Sequence, residues 1–473
     1  MIREKPCNGR SLRWLAVALL AMAFAVAAAA QAPPPPADDA EKAQLRQEIE
    51  QLKKALAAME KRLDAVEKAE AQPAAPKAAA PPLPQPPIEA PKAQGPQPSM
   101  TVYGFAMVDM GQNFTQINPD WYDTMRVSRL PKFDKEFGED NQTFAGVRQS
   151  RFGIKAEVPT GFGPLKTKFE FDMFGTGVDA GQTTIRLRHA YGELGWFLAG
   201  QTDSVFTDPD VWPNTLEYWG PSGMTFFRNV QVRFTPIQNE NHWLAIALER
   251  PGASGDGGVY ADRIEIQNIK GRNPLPDLTF GYKYSDDWGY VKAGGLLRRI
   301  AWDDVLDDQF DLSGHATGWG LSLSSCVNVS ARDILRMEIN YGRGDENYMQ
   351  DAPVDIGIQN NFSDPVRPIL GKPLPLLGTH IFLDHNWNDQ FSSSIGYSRI
   401  DIDNSDGQTA DSLRVSQYAL CNLLYSPVRN VMVGGEFQWG QRSNFSDGFH
   451  SSGYKFQFSA KYNFDYTLGG KNE

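Results

Sequence analysis

The chain is expected to fold as an all-β protein: a 16-stranded antiparallel transmembrane β-barrel preceded by an N-terminal α-helical coiled coil. Three features predict it. The last strand alternates without a slip, with Tyr454, Phe456, Phe458, Ala460, Tyr462 and Phe464 on one parity and Lys455, Gln457, Ser459, Lys461 and Asn463 on the other. Side chains repeat every two residues in a strand, so one face is apolar and the other wet. A transmembrane barrel turns such an aromatic face to lipid and the polar face to a water-filled lumen. From Met100 onward, turn-rich joins alternate between short and long. Finally, 27 Phe, 16 Tyr and 11 Trp sit in a chain of low mean hydropathy, which suits a wet interior better than an oily core.

Residues 1–30 read as an export signal. Arg3, Lys5, Arg10 and Arg13 precede an apolar run at 14–26 and a small-residue cleavage site at Ala28-x-Ala30. The run is too short and Ala-rich for a membrane helix, and no other stretch of about 18 apolar residues follows. The signal carries a net +3, so the formal −11 of the whole chain becomes about −14 after its removal. That excludes a nucleic-acid partner on bulk charge. Cys7 leaves with the signal, and Cys326 and Cys421 fall on non-neighbouring strands, so both are expected as free thiols.

Residues 38–70 carry an a/d seam. Leu45, Ile49, Leu52, Leu56, Met59, Leu63 and Val66 are spaced alternately four and three apart. Glu41 and Arg46, Glu48 and Lys53, and Arg62 and Glu67 are opposite in sign in the g-to-e′ sense, as a parallel arrangement requires. A lone amphipathic helix would need a domain to pack on. The Pro/Ala-rich linker at 71–99 is a semi-stiff spacer and supplies none. Mixed Ile and Leu at a leave the number of helices open.

The barrel domain is 100–473. Short joins fall at 159–163, 193–195, 235–241, 285–289, 330–333, 386–390 and 426–430. Long ones fall at 112–147, 175–183, 204–226, 250–276, 301–317, 343–378, 403–411 and 441–452, with 262–270 counted as loop. Sixteen strands follow, and an even count brings both ends to the short-turn rim, which faces the periplasm.

Strand parity sorts the wall. Arg151, Lys155, Lys166, Lys168, Arg186 and Arg188 point inward on three consecutive strands against Glu157, Glu170 and Asp172, while Ile185, Leu187 and Tyr191 face out. Arg233, Lys283, Lys292, Arg298 and Arg336 join from later strands. A charge facing lipid at mid-depth costs roughly 2–4 kcal/mol, so parity alone requires these groups to face the lumen. Two readings then fit: ordinary solvation of a wet wall, or a basic ladder of Arg151, Lys155, Arg186, Arg188 and Arg233 that draws anions. The loop after the fifth strand carries Asp203, Asp208, Asp210 and Glu217 with Trp212, Tyr218 and Trp219. Three large aromatics suit an inward-folded constriction loop facing the basic wall better than a solvated surface loop.

Taken together, the heptad helix, the opening Val102-Tyr103-Gly104-Phe105, the strand Ser150-Arg151-Phe152-Gly153-Ile154-Lys155 and Gly200-Gln201-Thr202 before the third loop resemble the DcaP-like family of trimeric outer-membrane porins. The resemblance spans essentially the whole mature chain. It implies a homotrimer in the lipid of a bacterial outer membrane, passing small anionic solutes that include aromatic and aliphatic carboxylates. One departure is that 465–473 follow the terminal aromatic Phe464, where such barrels usually stop.

No catalytic residues, metal site or cofactor are expected. Gly-x-Ser-x-Gly, a phosphate loop and His-Glu-x-x-His are absent from the sequence, and His380 and His385 have opposite parity on one strand. The alternative to a porin is a structural anchor whose coiled coil and linker space the outer membrane, with little transport. A peptide covering 41–68 is expected to be helical, with melting that rises with concentration. Concentration-independent melting would refute self-association.

Overall fold

The computed structural model describes residues 97–469; the export segment, the heptad helix and nearly all of the linker lie outside the described residues. Twenty strands are described: β1 (Ser99–Asn113), β2 (Gln142–Gly146), β3 (Arg151–Thr160), β4 (Gly163–Phe174), β5 (Thr183–Leu194), β6 (Phe197–Asp203), β7 (Arg228–Gln238), β8 (His242–Glu249), β9 (Ile269–Arg272) and β10 (Asp277–Asp286). They continue with β11 (Gly289–Asp304), β12 (Gly314–Asn328), β13 (Asp333–Arg343), β14 (Ile356–Asn360), β15 (Ile369–Pro373), β16 (Pro375–Asn386), β17 (Phe391–Ile402), β18 (Leu413–Val428), β19 (Val431–Asn444) and β20 (His450–Gly469).

Sixteen of these close an antiparallel barrel, in the order β1, β3 to β8, β10 to β13, β16 to β20 and back to β1. Closure rests on β1. One edge pairs with β20 from Ser99↔Gly469 to Asn113↔Lys455, and the other with β3 from Ser99↔Glu157 to Phe105↔Arg151. No barrel edge is left open, and both ends meet at the short-turn rim, as the even count requires.

The seven short joins fall where the sequence places them, but three long ones contain extra strand. Where β3 stops, β2 continues along β1, and β9 continues the place of β10 along β11. A β14–β15 hairpin stands in the connection after β13. The last strand also runs five residues past Phe464. Asp465 pairs with Tyr103 and Thr467 with Thr101, while Tyr466 and Leu468 extend the outer apolar face. Most of the expected tail is therefore wall.

Alternation holds on β20: Phe456, Phe458 and Tyr462 are exposed, and Lys455, Gln457 and Ser459 are wholly buried. It fails at one place on β5. Glu170 pairs with His189 and Phe171 with Leu187, so Arg188 is an extra residue that reverses the parity beyond it. Tyr191, expected to face out, is instead the register partner of lumen-facing Lys168 and packs edge-on against His189.

Long loops fold into the barrel and pack on its inner face. Met125, Val127 and Leu130 of the connection after β1 bury against Phe382, Tyr418 and Leu420, a gain of about 1.5–3 kcal/mol per side chain. Met349 and Leu374 of the connection after β13 do the same on Leu376, Ile400, Ile402 and Leu413. This part of the lumen is an oily core, unlike the wet interior expected throughout.

Asp345 and Glu346 enter that core from the end of β13. Both Glu346 carboxyl oxygens and Asp345 Oδ1 are buried without a hydrogen-bond partner among the described residues, while Asn340 donates to Asp345 Oδ2 at 3.0 Å. Their charged neighbours are Asp355 and Arg298. Burial pushes the Asp345 carboxyl up to about 7 and that of Glu346 well above the usual range. Such groups favour the docked loop while neutral. Docking therefore weakens as pH climbs from the ordinary aspartate value of 3.8 through about 7, and further for Glu346. Glu346→Gln is expected to raise the melting temperature of the folded barrel at pH 8 and to change it little at pH 4. An equal effect at both pH values would contradict the buried-acid account.

Candidate functional site

The third long loop, 204–227, crosses the lumen and is tied to the far wall. Glu436 on β19, wholly buried, accepts from Thr215 Oγ1 and from the backbone N–H of Leu216 and Glu217 at 2.8–3.1 Å. Asp384 accepts from Asn214 N, Ser398 from Gly223 N and Glu338 from Thr225 N. Each such bond contributes about 0.5–1.5 kcal/mol net, so four wall residues together hold the loop through its own backbone N–H groups. Gly220 turns the chain at φ +69°, where a Cβ would come within 2.5 Å of the Trp212 ring.

Between the loop and the wall of β3 to β7 remains a cavity of ≈ 740 Å³. Arg151, Lys168, Arg186, Arg188, Arg228 and Lys461 line it, against the carboxylates Glu170, Asp203 and Glu217. Arg186 makes a two-point contact with Asp172 (Nε–Oδ1 3.0 Å, Nη2–Oδ2 2.6 Å). Arg188 bridges Glu170 and Asp172, both at 2.8 Å, and Arg151 lies 3.5 Å from Glu170. The opposite side is aromatic. The Tyr218 hydroxyl donates to Asp172 at 2.8 Å and its ring stacks on Phe174 at 3.8 Å and 7°. Trp212, Trp219, Phe226 and Phe227 continue that face.

Arg151, Arg186, Arg188, Asp203, Trp212, Glu217, Tyr218 and Trp219 thus meet at one cavity, as the sequence suggests. Two expected cations do not. Lys155 lies nearer the short-turn rim, 5.8 Å from the Tyr103 ring, and Arg233 lines a separate chamber of ≈ 420 Å³ with Lys283 and Lys292.

The acids of the loop do not oppose the basic wall either. Asp208 accepts from Tyr290 and Ser324, Asp210 pairs with Lys283 at 2.7 Å, and Glu217 with wholly buried Lys455 at 2.7 Å. A carboxylate taken out of water needs such partners, and the far wall supplies them. Asp203, register partner of Arg228, stays on the basic side, and Glu217 borders the cavity with its charge answered by Lys455. The acids answering the ladder are Glu170 and Asp172 of β4, within the wall itself.

Sequence reasoning missed Arg228 and Lys461. Arg228 Nη1 is buried without a hydrogen-bond partner, its guanidinium 5.1 Å from the Phe226 ring centre. Lys461 sits 4.2 Å over Phe105. Among the described residues neither meets a carboxylate at ion-pair distance. Lys461 was visible on the wet parity of the last strand, whereas Arg228 begins β7 just beyond the expected loop. His385 pairs with Asp333 at 2.7 Å at the short-turn rim, while His380 is buried in the wall.

No curated protein matches the chain. The crystal structure of the outer membrane channel DcaP of Acinetobacter baumannii is similar, with TM-score 0.66 and 21% identity over 78% of this chain and 97% of that one. The identity is low enough that the likeness is one of fold. An anion-selective porin from Comamonas acidovorans aligns with TM-score 0.48 and 10% identity, over 78% of this chain and 100% of that one. A family model described as DcaP outer membrane protein matches residues 133–464, more than half of the chain, and the closed sixteen-stranded barrel with its inward third loop accordingly belongs to the DcaP outer membrane protein family.

Proposed function

We propose that this outer-membrane porin passes small anionic solutes, carboxylates above all, by passive diffusion through the gap between the third loop and the β3–β7 wall. The single observation that carries the reading is the charge left over there: Arg228 and Lys461 face the cavity without a carboxylate partner among the described residues. Low-dielectric walls focus such a field and raise the local anion concentration. A solute with a carboxylate beside an apolar body would meet cations on one side and Tyr218, Trp212 and Trp219 on the other. The family is one of channels rather than enzymes. A homotrimer, as the resemblance to trimeric porins implies, with the heptad helix in the periplasm completes the reading; the pattern at 38–70 supports self-association without fixing the number of helices.

Unit charges 4 Å apart interact by about 1 kcal/mol in water, which is about fivefold in local ion concentration. Replacing Arg228 or Lys461 by Ser is therefore expected to lower the anion-to-cation permeability ratio by about two- to fivefold each, read from the reversal potential in a KCl gradient. Arg367, exposed and paired with Asp311 at 2.5 Å, serves as the rim control. Rim charges are screened beyond a Debye length of about 8 Å, so Arg367→Ser should leave the ratio unchanged. A wild-type pore selective for cations, or equal shifts at 228, 461 and 367, would refute the anion reading.

A further inference from the structure

We infer that Arg126, on the long connection after β1, is a positioning residue that fixes the aromatic lip of the pore and so sets its size discrimination, separately from its charge discrimination. The inference rests on the reading of the ≈ 740 Å³ cavity as the permeation gap. Arg126 touches none of the residues of the basic wall. Its guanidinium packs into the corner formed by two indoles, 4.5 Å from the ring centre of Trp121 and 4.3 Å from that of Trp219. Trp219 belongs to the third loop and lines the cavity, whereas Trp121 is buried. The two indoles also meet edge-on at 4.7 Å.

The clamp reaches the second aromatic of the lip by another route. Trp121 stacks on Phe174 at 6.1 Å, and Phe174 stacks on Tyr218 at 3.8 Å. Arg148 supports the same column from behind, 3.9 Å from the Phe174 ring centre and ion-paired with Asp123 at 2.8 Å. Trp219 is thus held by the clamp directly, while Tyr218, which the column also reaches, is fixed in addition by its bonds to Asp172 and Arg188.

Arg126 is itself oriented. Its Nε donates to Asp351 at 2.9 Å, and that carboxylate, wholly buried, also accepts from Ser128 N at 2.7 Å and Ser128 Oγ at 2.6 Å. Asp351 stands on the connection after β13, so three loops converge on one guanidinium. Cation–π contacts of this kind strengthen when desolvated, and the flat face of arginine suits two indoles as a lysine ammonium does not. When Arg126 is replaced by a neutral residue, Ser128 keeps two bonds to Asp351, so that carboxylate stays hydrogen-bonded although it loses its cation. Arg126→Lys keeps a cation beside Asp351, so it leaves the field at the basic wall intact while removing the planar stacking group.

The full-length protein in liposomes tests this, with uptake of acetate compared with naphthalene-2-carboxylate by swelling rate and the reversal potential measured in KCl. Arg126→Gln is expected to shift the clamped-to-free ratio of the lip by about tenfold. The acetate-to-naphthalene-carboxylate uptake ratio should fall severalfold toward one with the heat-resistant folded barrel unchanged, and in the charge-keeping Arg126→Lys the reversal potential should be unchanged as well. Arg126→Lys should resemble Gln; full rescue by lysine would overturn the stacking role. Trp219→Ala should flatten the ratio too. If Trp219→Ala flattens it and Arg126→Gln does not, the clamp is overturned alone. If Trp219→Ala has no effect, the cavity is not the permeation gap and the underlying reading falls with it.

Discussion

Hydrocarbon offers the peptide backbone no hydrogen-bond partner, and every other feature of this fold follows from meeting that constraint. A sheet can meet it only by closing. Here closure is carried by β1, paired along its whole length with β20 and over its first half with β3. Beyond Phe105 the free edge of β1 is taken up by β2, a strand borrowed from the long loop. The same device recurs where β9 takes over from β10. Once the sheet is closed, side-chain alternation forces aromatics outward and charges inward, and the interior becomes a second packing problem.

That second problem is solved unevenly around the barrel. On β16 to β19 the inner face is covered by loops, through apolar clusters and through carboxylates such as Glu436 that accept from loop backbone. On β3 to β6 the loop meets the wall at Tyr218, which stacks on Phe174 and bonds Asp172 and Arg188, while Glu170 and Asp172 hold the arginines apart. Asp208, Asp210 and Glu217 of the third loop are answered by Tyr290, Ser324, Lys283 and Lys455 on β10, β11, β12 and β20. The remaining passage is therefore cationic on one side and aromatic on the other, without an opposing row of carboxylates.

Much of this was legible in the sequence. Period-two alternation and the rhythm of joins give the strand count, the closing order and the inward position of Arg151, Arg186 and Arg188. What escaped has physical causes. The bulge at Arg188 adds one residue to one strand, which no parity count detects from a single chain. The direction of Asp208, Asp210 and Glu217 depends on Tyr290, Lys283 and Lys455, which are 82, 73 and 238 residues away in sequence. The covered wall did leave a trace. Leu374, Leu376 and Leu377 are apolar on both parities, the pattern of a strand buried on both faces. Arg126 and Trp121 had no such signal, since a stacked cation in a loop reads as solvated surface until its partners are placed.

The third loop closes off the β19 side of the lumen and leaves the gap on the β3–β7 side. The most direct measurement is block by a charged thiol reagent during recording from single channels, with Cys326 and Cys421 both replaced by Ser. Arg228→Cys places a thiol on the open side, and Gln438→Cys places one behind the loop, where Gln438 is wholly buried. The account predicts a fall in conductance on treating the first and none on treating the second. Block at 438 comparable to that at 228, or none at 228, would contradict it.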